Sequence, residues 1–275
     1  MKRILSIPLL LLSIGTYAQT AKQIVLTKGQ EITIITNASG DADMGMGMTL
    51  TNTSNITSQM IVIGEDENNY SITKSLTNLK MSMEGFGQNM EFNSDNQEDK
   101  ESEIGKKISA KINTPDTFLI NKKTGKATST KKDVDYNDNP AAISGIAMGN
   151  NEGKDGIEDA FFIINTDKKV GDSWMESSTN KKVTSKKTYT IKSIDNDIAV
   201  VEVKGSIEGE TEQEMQGSTI IMNTESKIEG NITTNIKTGL VYMSLINADM
   251  TGNVNAMDQQ MSITSKSTTT TLFNQ

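Results

Sequence analysis

Apolar side chains recur at every second position along most of this 275-residue chain, and that period belongs to strands, whose successive side chains point to opposite faces. From Met44 the even positions read Met44, Met46, Met48, Leu50 and then Ile56, Met60 and Val62, while Thr49, Thr51, Thr53 and Thr57 take odd ones. The pattern predicts one apolar face and one wet face. The same period predicts strands near 32–36, 70–76, 79–83, 90–92, 118–120, 188–194, 198–203, 220–228, 240–250 and 257–263. Gly/Asn/Asp-rich links at 64–69, 85–87 and 195–197, with two Lys-Thr-Gly corners at 123–125 and 237–239, supply tight reversals. Links this short join antiparallel neighbours.

Two segments break the alternation. Ile104, Ile108 and Ile112 recur at four-residue spacing behind Ser94-Asp95, with Glu98, Asp99 and Glu101 early and Lys106, Lys107 and Lys111 late. That charge order suits a helix dipole and predicts a helix over 97–112. Residues 141–148 and 157–164, behind a polar linker at 133–140, predict two further short helices. The expected fold is therefore α+β: a strongly curved, mostly antiparallel, half-barrel-like sheet of two similar halves, with a few short helices packed against it. Each half opens on a Gly-centred start, at Gly29 and Gly171, and reaches a strand before Lys-Thr-Gly. Duplication and chance similarity in a Thr- and Lys-rich chain both account for this. The halves span 19–132 and 166–275, joined by a polar linker and short helices at 133–165 in one continuous domain.

The chain has no cysteine and no histidine. Disulfides, thiol nucleophiles, imidazole bases and Cys/His metal sites are thereby excluded. With 27 Lys and Arg against 35 Asp and Glu, a net charge of −8 and 4% aromatics, a nucleic-acid surface is not expected. Residues 1–18 combine a cationic start, an apolar run at 4–14 and small residues before Gln19, the pattern of a cleaved signal peptide. No later stretch is long and apolar enough for a membrane-spanning helix. These features predict a soluble periplasmic or secreted protein.

Three short matches, Ser71-Ile72-Thr73-Lys74, Ser94-Asp95-Asn96 and Lys123-Thr124-Gly125, mimic the boxes of serine β-lactamases. Their context argues against an enzyme: Ser71 and Lys74 fall in an alternating strand and point to opposite faces, and the repeated Lys-Thr-Gly reads as a hairpin turn. Acidic clusters at 95–103, 133–138 and 152–159 lack calcium-loop spacing and read as solvated surface. Trp174, the one tryptophan, is expected as a buried structural anchor. The methionines are the remaining signal. Met44, Met46, Met48, Leu50, Met81, Met83 and Met90 form the candidate ligand wall, since thioethers on flexible stems conform to irregular apolar partners. Ordinary core packing and a Cu(I) site built from Met44, Met46 and Met48 are the competing accounts of the same stripe.

The leader, Lys169-Val170-Gly171-Asp172-Ser173-Trp174, the alternating pair 189–194/198–203 and Ile236-Lys237-Thr238-Gly239-Leu240 together resemble an uncharacterised family, a domain of unknown function, of exported Gram-negative bacterial proteins. That resemblance implies no activity. The expected architecture is similar to that of the half-barrel lipoprotein carriers of the periplasm, an analogy of shape that transfers no residue. Three functions follow as expectations: a non-catalytic protein holding a lipid or lipidated peptide on a Met-lined sheet, a structural or interaction module with an envelope protein as partner, and Cu(I) handling through thioethers. None requires a resident cofactor.

Overall fold

The computed structural model describes residues 23–130 and 156–275, apart from residues 46, 86, 166, 181, 216, 217, 257 and 258. The expected leader at 1–18 and helix at 141–148 lie outside the described residues. In chain order the elements are β1 (Glu31–Asp43), β2 (Thr49–Glu65), β3 (Asn69–Gly85), β4 (Gln88–Asn93), α1 (Gln97–Glu101), α2 (Glu103–Ser109), β5 (Asp116–Asn121) and β6 (Ala127–Ser129). Then follow β7 (Ser173–Asn180), β8 (Val183–Asp195), β9 (Ile198–Met215), β10 (Ser218–Asn235), β11 (Val241–Ala256) and β12 (Gln259–Asn274). All twelve strands form one open, curved sheet in the order β6-β5-β3-β2-β1-β12-β11-β10-β9-β8-β7, with β4 beside β5 along β3. Every strand pair is antiparallel.

The protein is mostly β, which corrects the α+β expectation. The predicted helix over 97–112 is two pieces of five and seven residues. Asn96 caps the first, and Ser102, whose hydroxyl accepts from Gly105 N–H at 2.9 Å, starts the second. The break at Ser102 divides the helical run because a capping side chain competes for the amide the helix would use. Residues 157–164 are not a helix: after a 3-10 turn at Glu158–Ala160 the chain is extended, and Phe161 bridges to Leu240. A short apolar run fits a buried extended segment as well as a helix.

Register fixes which residues share a face. Ile32 pairs with Met60, Ile34 with Phe273, Ala38 with Ser54 and Ala42 with Leu50. These inward positions are buried, whereas Thr49, Thr51, Thr53 and Asp41 between them are exposed. At Thr77 a bulge resets β3, so that Tyr70, Ile72 and Leu76 before it and Leu79, Met81 and Met83 after it all stay inward. One extra residue in one strand does this without breaking the sheet.

A strap at one end shows how strongly the sheet bends. The amide of Ile24 donates to Lys122 O in the β5–β6 turn at 2.7 Å, and Val25 next to it donates to Thr238 O in the β10–β11 turn at 2.9 Å. Those turns sit on β5 and β11, five strand steps apart. In a flat sheet that is roughly 24 Å, yet adjacent residues, about 3.8 Å apart, touch both. Both turns have the sequence Asn-x-Lys-Thr-Gly and the same wiring. Asn121 Oδ1 accepts from the amides of Lys123 and Thr124, and Asn235 Oδ1 from those of Lys237 and Thr238. Gly125 and Gly239 close them at φ +71° and +70°, which a side chain would strain. Ile24, Leu26, Ile32, Ile34, Met60, Tyr70, Ile72, Phe118, Ile120, Phe161 and Phe273 form the main core around this strap.

Candidate functional site: the concave face

The inward positions of β1–β3, β5 and β8–β12 make a concave face with two unlike ends. The strapped end is filled: Tyr70 hydroxyl accepts from Leu26 N–H at 3.1 Å and donates to Ile24 O at 3.5 Å, closing the wall behind Ile157, Ala160 and Phe161. Beside it, Lys122 Nζ lies 4.7 Å from the Tyr70 ring centre and 2.7 Å from Glu65, whose hydrogen bond holds the ammonium above the usual lysine range. Next along the same end, Ile164, Tyr189, Ile191, Val201 and Val203 form a second core. Trp174 packs against it half-buried rather than enclosed, 5.5 Å from Tyr189 and 6.1 Å from Phe162, with Lys168 over its outer face at 5.5 Å.

Away from the strap the inward side chains of β1 and β12 become small. Ala38, Gly40, Ala42, Ser54, Ser265, Ser267 and Thr269 floor the sheet where β2, β1 and β12 run side by side. Two apolar clusters flank that floor. On one side Leu79, Met81, Phe92 and Ile108 pack with half-buried Ile56, Leu76, Met90 and Ile112. On the other, Met250, Val254 and Ile263 pack with half-buried Met44, Met222 and Met261.

The candidate wall read from sequence is divided between these places. Met81 and Met90 belong to the first cluster, and Met83 pairs with Met90 across β3 and β4. Leu50 is buried at the far end of β2 against Gly85, and Met44 belongs to the second cluster. Met44 and Met48 do not lie on one strand but flank the reversal between β1 and β2. Met44 and Met48 are joined by a 2.9 Å backbone hydrogen bond, and Gly45 and Gly47 both adopt φ +75°. Gly45 and Gly47 shape the turn through this left-handed backbone. Met46 lies outside the described residues. Sequence reasoning placed the wall in the N-terminal half alone. Met222, Met250 and Met261 join it because β12 pairs with β1, a long-range pairing with no local signal.

The outward face is the opposite in character. Thr51 donates to Asp41 at 2.8 Å, Gln59 to Glu31 at 3.0 Å and Thr268 to Asn247 at 2.8 Å, and Lys192 and Lys204 flank Glu202 at 3.5 and 3.4 Å. An open depression of about 630 Å³ lies on this face, where Asn223, Glu225, Thr251, Asn253, Ser262 and Thr264 project, and none of the candidate wall residues lines it. Of the boxes resembling a β-lactamase, Ser71 and Lys74 alternate to opposite faces of β3, and Lys123-Thr124-Gly125 is the β5–β6 turn. Among the described residues no group of three acidic side chains converges as a metal site, and no helix is long and apolar enough to cross a membrane.

A family model described as a family of unknown function (DUF6263) matches residues 146–241. No curated protein matches the chain. Among solved structures, one of lipovitellin titled for its lipid–protein interactions aligns with 90% of this chain at a TM-score of 0.50 and 10% identity. The chain spans about a quarter of that protein, 25% of its length. An outer membrane channel from Pseudomonas putida F1 aligns over 94% of this chain and 98% of its own at 9% identity and a TM-score of 0.27. A mutant of Rh. blastica porin aligns over 89% and 100% at 10% identity and 0.27. At these identities the lipovitellin likeness speaks to fold alone, a curved antiparallel sheet, and within the chain the family match falls on residues 146–241, which include the β10–β11 turn.

Proposed function

We propose that this protein is a non-catalytic, exported binder of an apolar ligand, a lipid or the acyl chain of a lipidated peptide, held on the concave face away from the strap. The observation that carries this reading is the contrast between faces. Half-buried Met, Leu and Ile side chains line the inside around a small-residue floor, while the outside is laced with Thr, Asn, Lys and Glu pairs. A barrel facing lipid needs the reverse arrangement. Flexible thioethers on both flanks suit acyl chains of varied shape. The floor residues Ala38, Ala42, Ser54 and Ser265 are buried, so a ligand enters as the flexible flanks part above them, and the filled strapped end sets how deep it reaches. The lipid named with the lipovitellin structure is consistent with this use of a curved sheet, and the leader read at 1–18 supplies the export.

Native mass spectrometry of gently purified protein, followed by displacement of a fluorescent fatty acid, tests it. A co-purified lipid or saturable displacement at one site per chain is expected; a clean apo mass together with no displacement overturns it. The open edge of β7, whose residues are mostly exposed, favours a second reading in which an envelope partner adds a strand there. A stoichiometric partner bound by lipid-free protein, and lost on placing proline in β7, is the outcome that selects it.

A further inference from the structure

We infer that Met44, Met222 and Met261 form a thioether site for a soft monovalent cation, Cu(I) or Ag(I), at the rim of the concave face farthest from the strap. The argument rests on register and is independent of the apolar-ligand reading. Met222 on β10 and Met261 on β12 both pair with Val254 of β11, one from each side, and all three side chains point inward. Two strand spacings, roughly 10 Å, separate those methionine backbones. Two long unbranched side chains have the length to lean toward one another across the shorter valine between them. Met44 follows Asp43, the partner of Thr264, and so stands beside Ile263, diagonal to Met261. All three methionines pack against the same buried cluster of Met250, Val254 and Ile263.

Chemistry narrows what such a cluster takes. Thioether sulfur is a soft neutral donor and selects Cu(I)-like ions over Mg, Ca or Mn, which want oxygen. The chain contains no cysteine or histidine to compete for such an ion. Three neutral donors leave the cation its charge, which is compatible with an acidic protein of net charge −8. Met44, Met222 and Met261 are half-buried, so each is partly open to solvent, and Met250, 9% exposed, backs them from within. The hairpin that carries Met44 is held by Asp43, whose carboxylate accepts from Gly45 N–H at 2.8 Å. The donor set thus comes from two strands of the sheet, β10 and β12, with the third ligand just beyond the end of β1.

The test titrates the full chain with silver nitrate in chloride-free buffer, read by native mass spectrometry and calorimetry. One Ag(I) per chain is expected, with at least a tenfold loss of affinity in the combined M44L, M222L and M261L variant and no loss in the combined M81L, M83L and M90L variant. Leucine conserves volume, so the sheet is expected to persist. Should the first variant fail to fold, methyl-labelled methionine NMR of the unaltered protein decides: one equivalent of Ag(I) shifts the methyls of Met44, Met222 and Met261 ahead of the rest. Absence of stoichiometric binding, equal affinity in the M44L, M222L and M261L variant, or shifts spread over all methionines by exposure overturns the site. None of those results bears on fatty-acid displacement, so the two readings fail separately.

Discussion

Ile24 hands its backbone N–H to the carbonyl of Lys122 at 2.7 Å, with its own side chain fully buried in a core that reaches from β6 and β5 to β11. This contact fastens the strap that holds the bend. Truncating Ile24→Ala removes a buried branched side chain from the most crowded part of the core and is expected to cost about 2–5 kcal/mol. Urea unfolding monitored by circular dichroism measures it. Val25→Ala beside it, 48% exposed, is expected to stay within about 0.5 kcal/mol of the parent. Equal effects at the two positions would mean that the strap holds nothing.

Gly230 sits inward on β10 where a Cβ would lie 2.0 Å from Leu245 O. Backbone cannot yield as a side chain tip does. Gly230→Ala is therefore expected to destabilise by about 3 kcal/mol, the upper end for overpacking. At Gly64 nothing lies within 4 Å of the same atom, and Gly64→Ala is expected to be neutral or to stabilise by up to about 1 kcal/mol through the unfolded chain. Paired thermal melts report both.

The Asp66 carboxylate at the β2–β3 turn accepts from the amides of Asn68 and Asn69, at 2.7 Å each, which holds its pKa below the ordinary aspartate value. A depressed folded pKa stabilises the native state most above the unfolded value of about 3.9 and loses that contribution as pH falls through the folded one. Acid unfolding of Asp66→Asn is expected to show a shallower decline below about pH 4 than the parent. Identical slopes in the two proteins would show that the turn is indifferent to the charge.

Placing a carboxylate on the concave flank separates the binding surface from the general fold. Met83→Glu puts charge beside Met90 and is expected to weaken fatty-acid displacement roughly tenfold, about 1.4 kcal/mol. Met243→Glu, outward and 36% exposed, is expected to leave displacement unchanged. A matched loss in both variants, or in neither, removes the concave face from consideration.

Sequence alone carried much of this architecture and missed its ends for physical reasons. Ile32 to Thr36 already announced β1, but the strand runs on to Asp43. Its inward residues there are Ala38, Gly40 and Ala42, too small to mark a face. The stretch 264–271 of β12 escaped in the same way, because inward Ser265, Ser267, Thr269 and Thr271 erase the apolar alternation. The two Lys-Thr-Gly corners and the Asn196-Asp197 turn were readable, since turn residues act locally. Ile24 to Leu26 was not, because its strap conformation is set by residues 98 and 213 positions further along, Lys122 from Ile24 and Thr238 from Val25. Local period also misplaced Met48: its even number matched the stripe, while Gly45 and Gly47 turned the chain beneath it.

The pairing of β1 with β12 has a consequence for how the molecule is assembled. A ribosome delivers β1 early and β12 after every other strand, so the centre of the sheet stays open while both wings are being made. Closure there waits on the most distant partner, and pairings this remote in sequence are slow to form. Until then β1 has an unpaired border, and such borders are where a growing chain is open to mispairing.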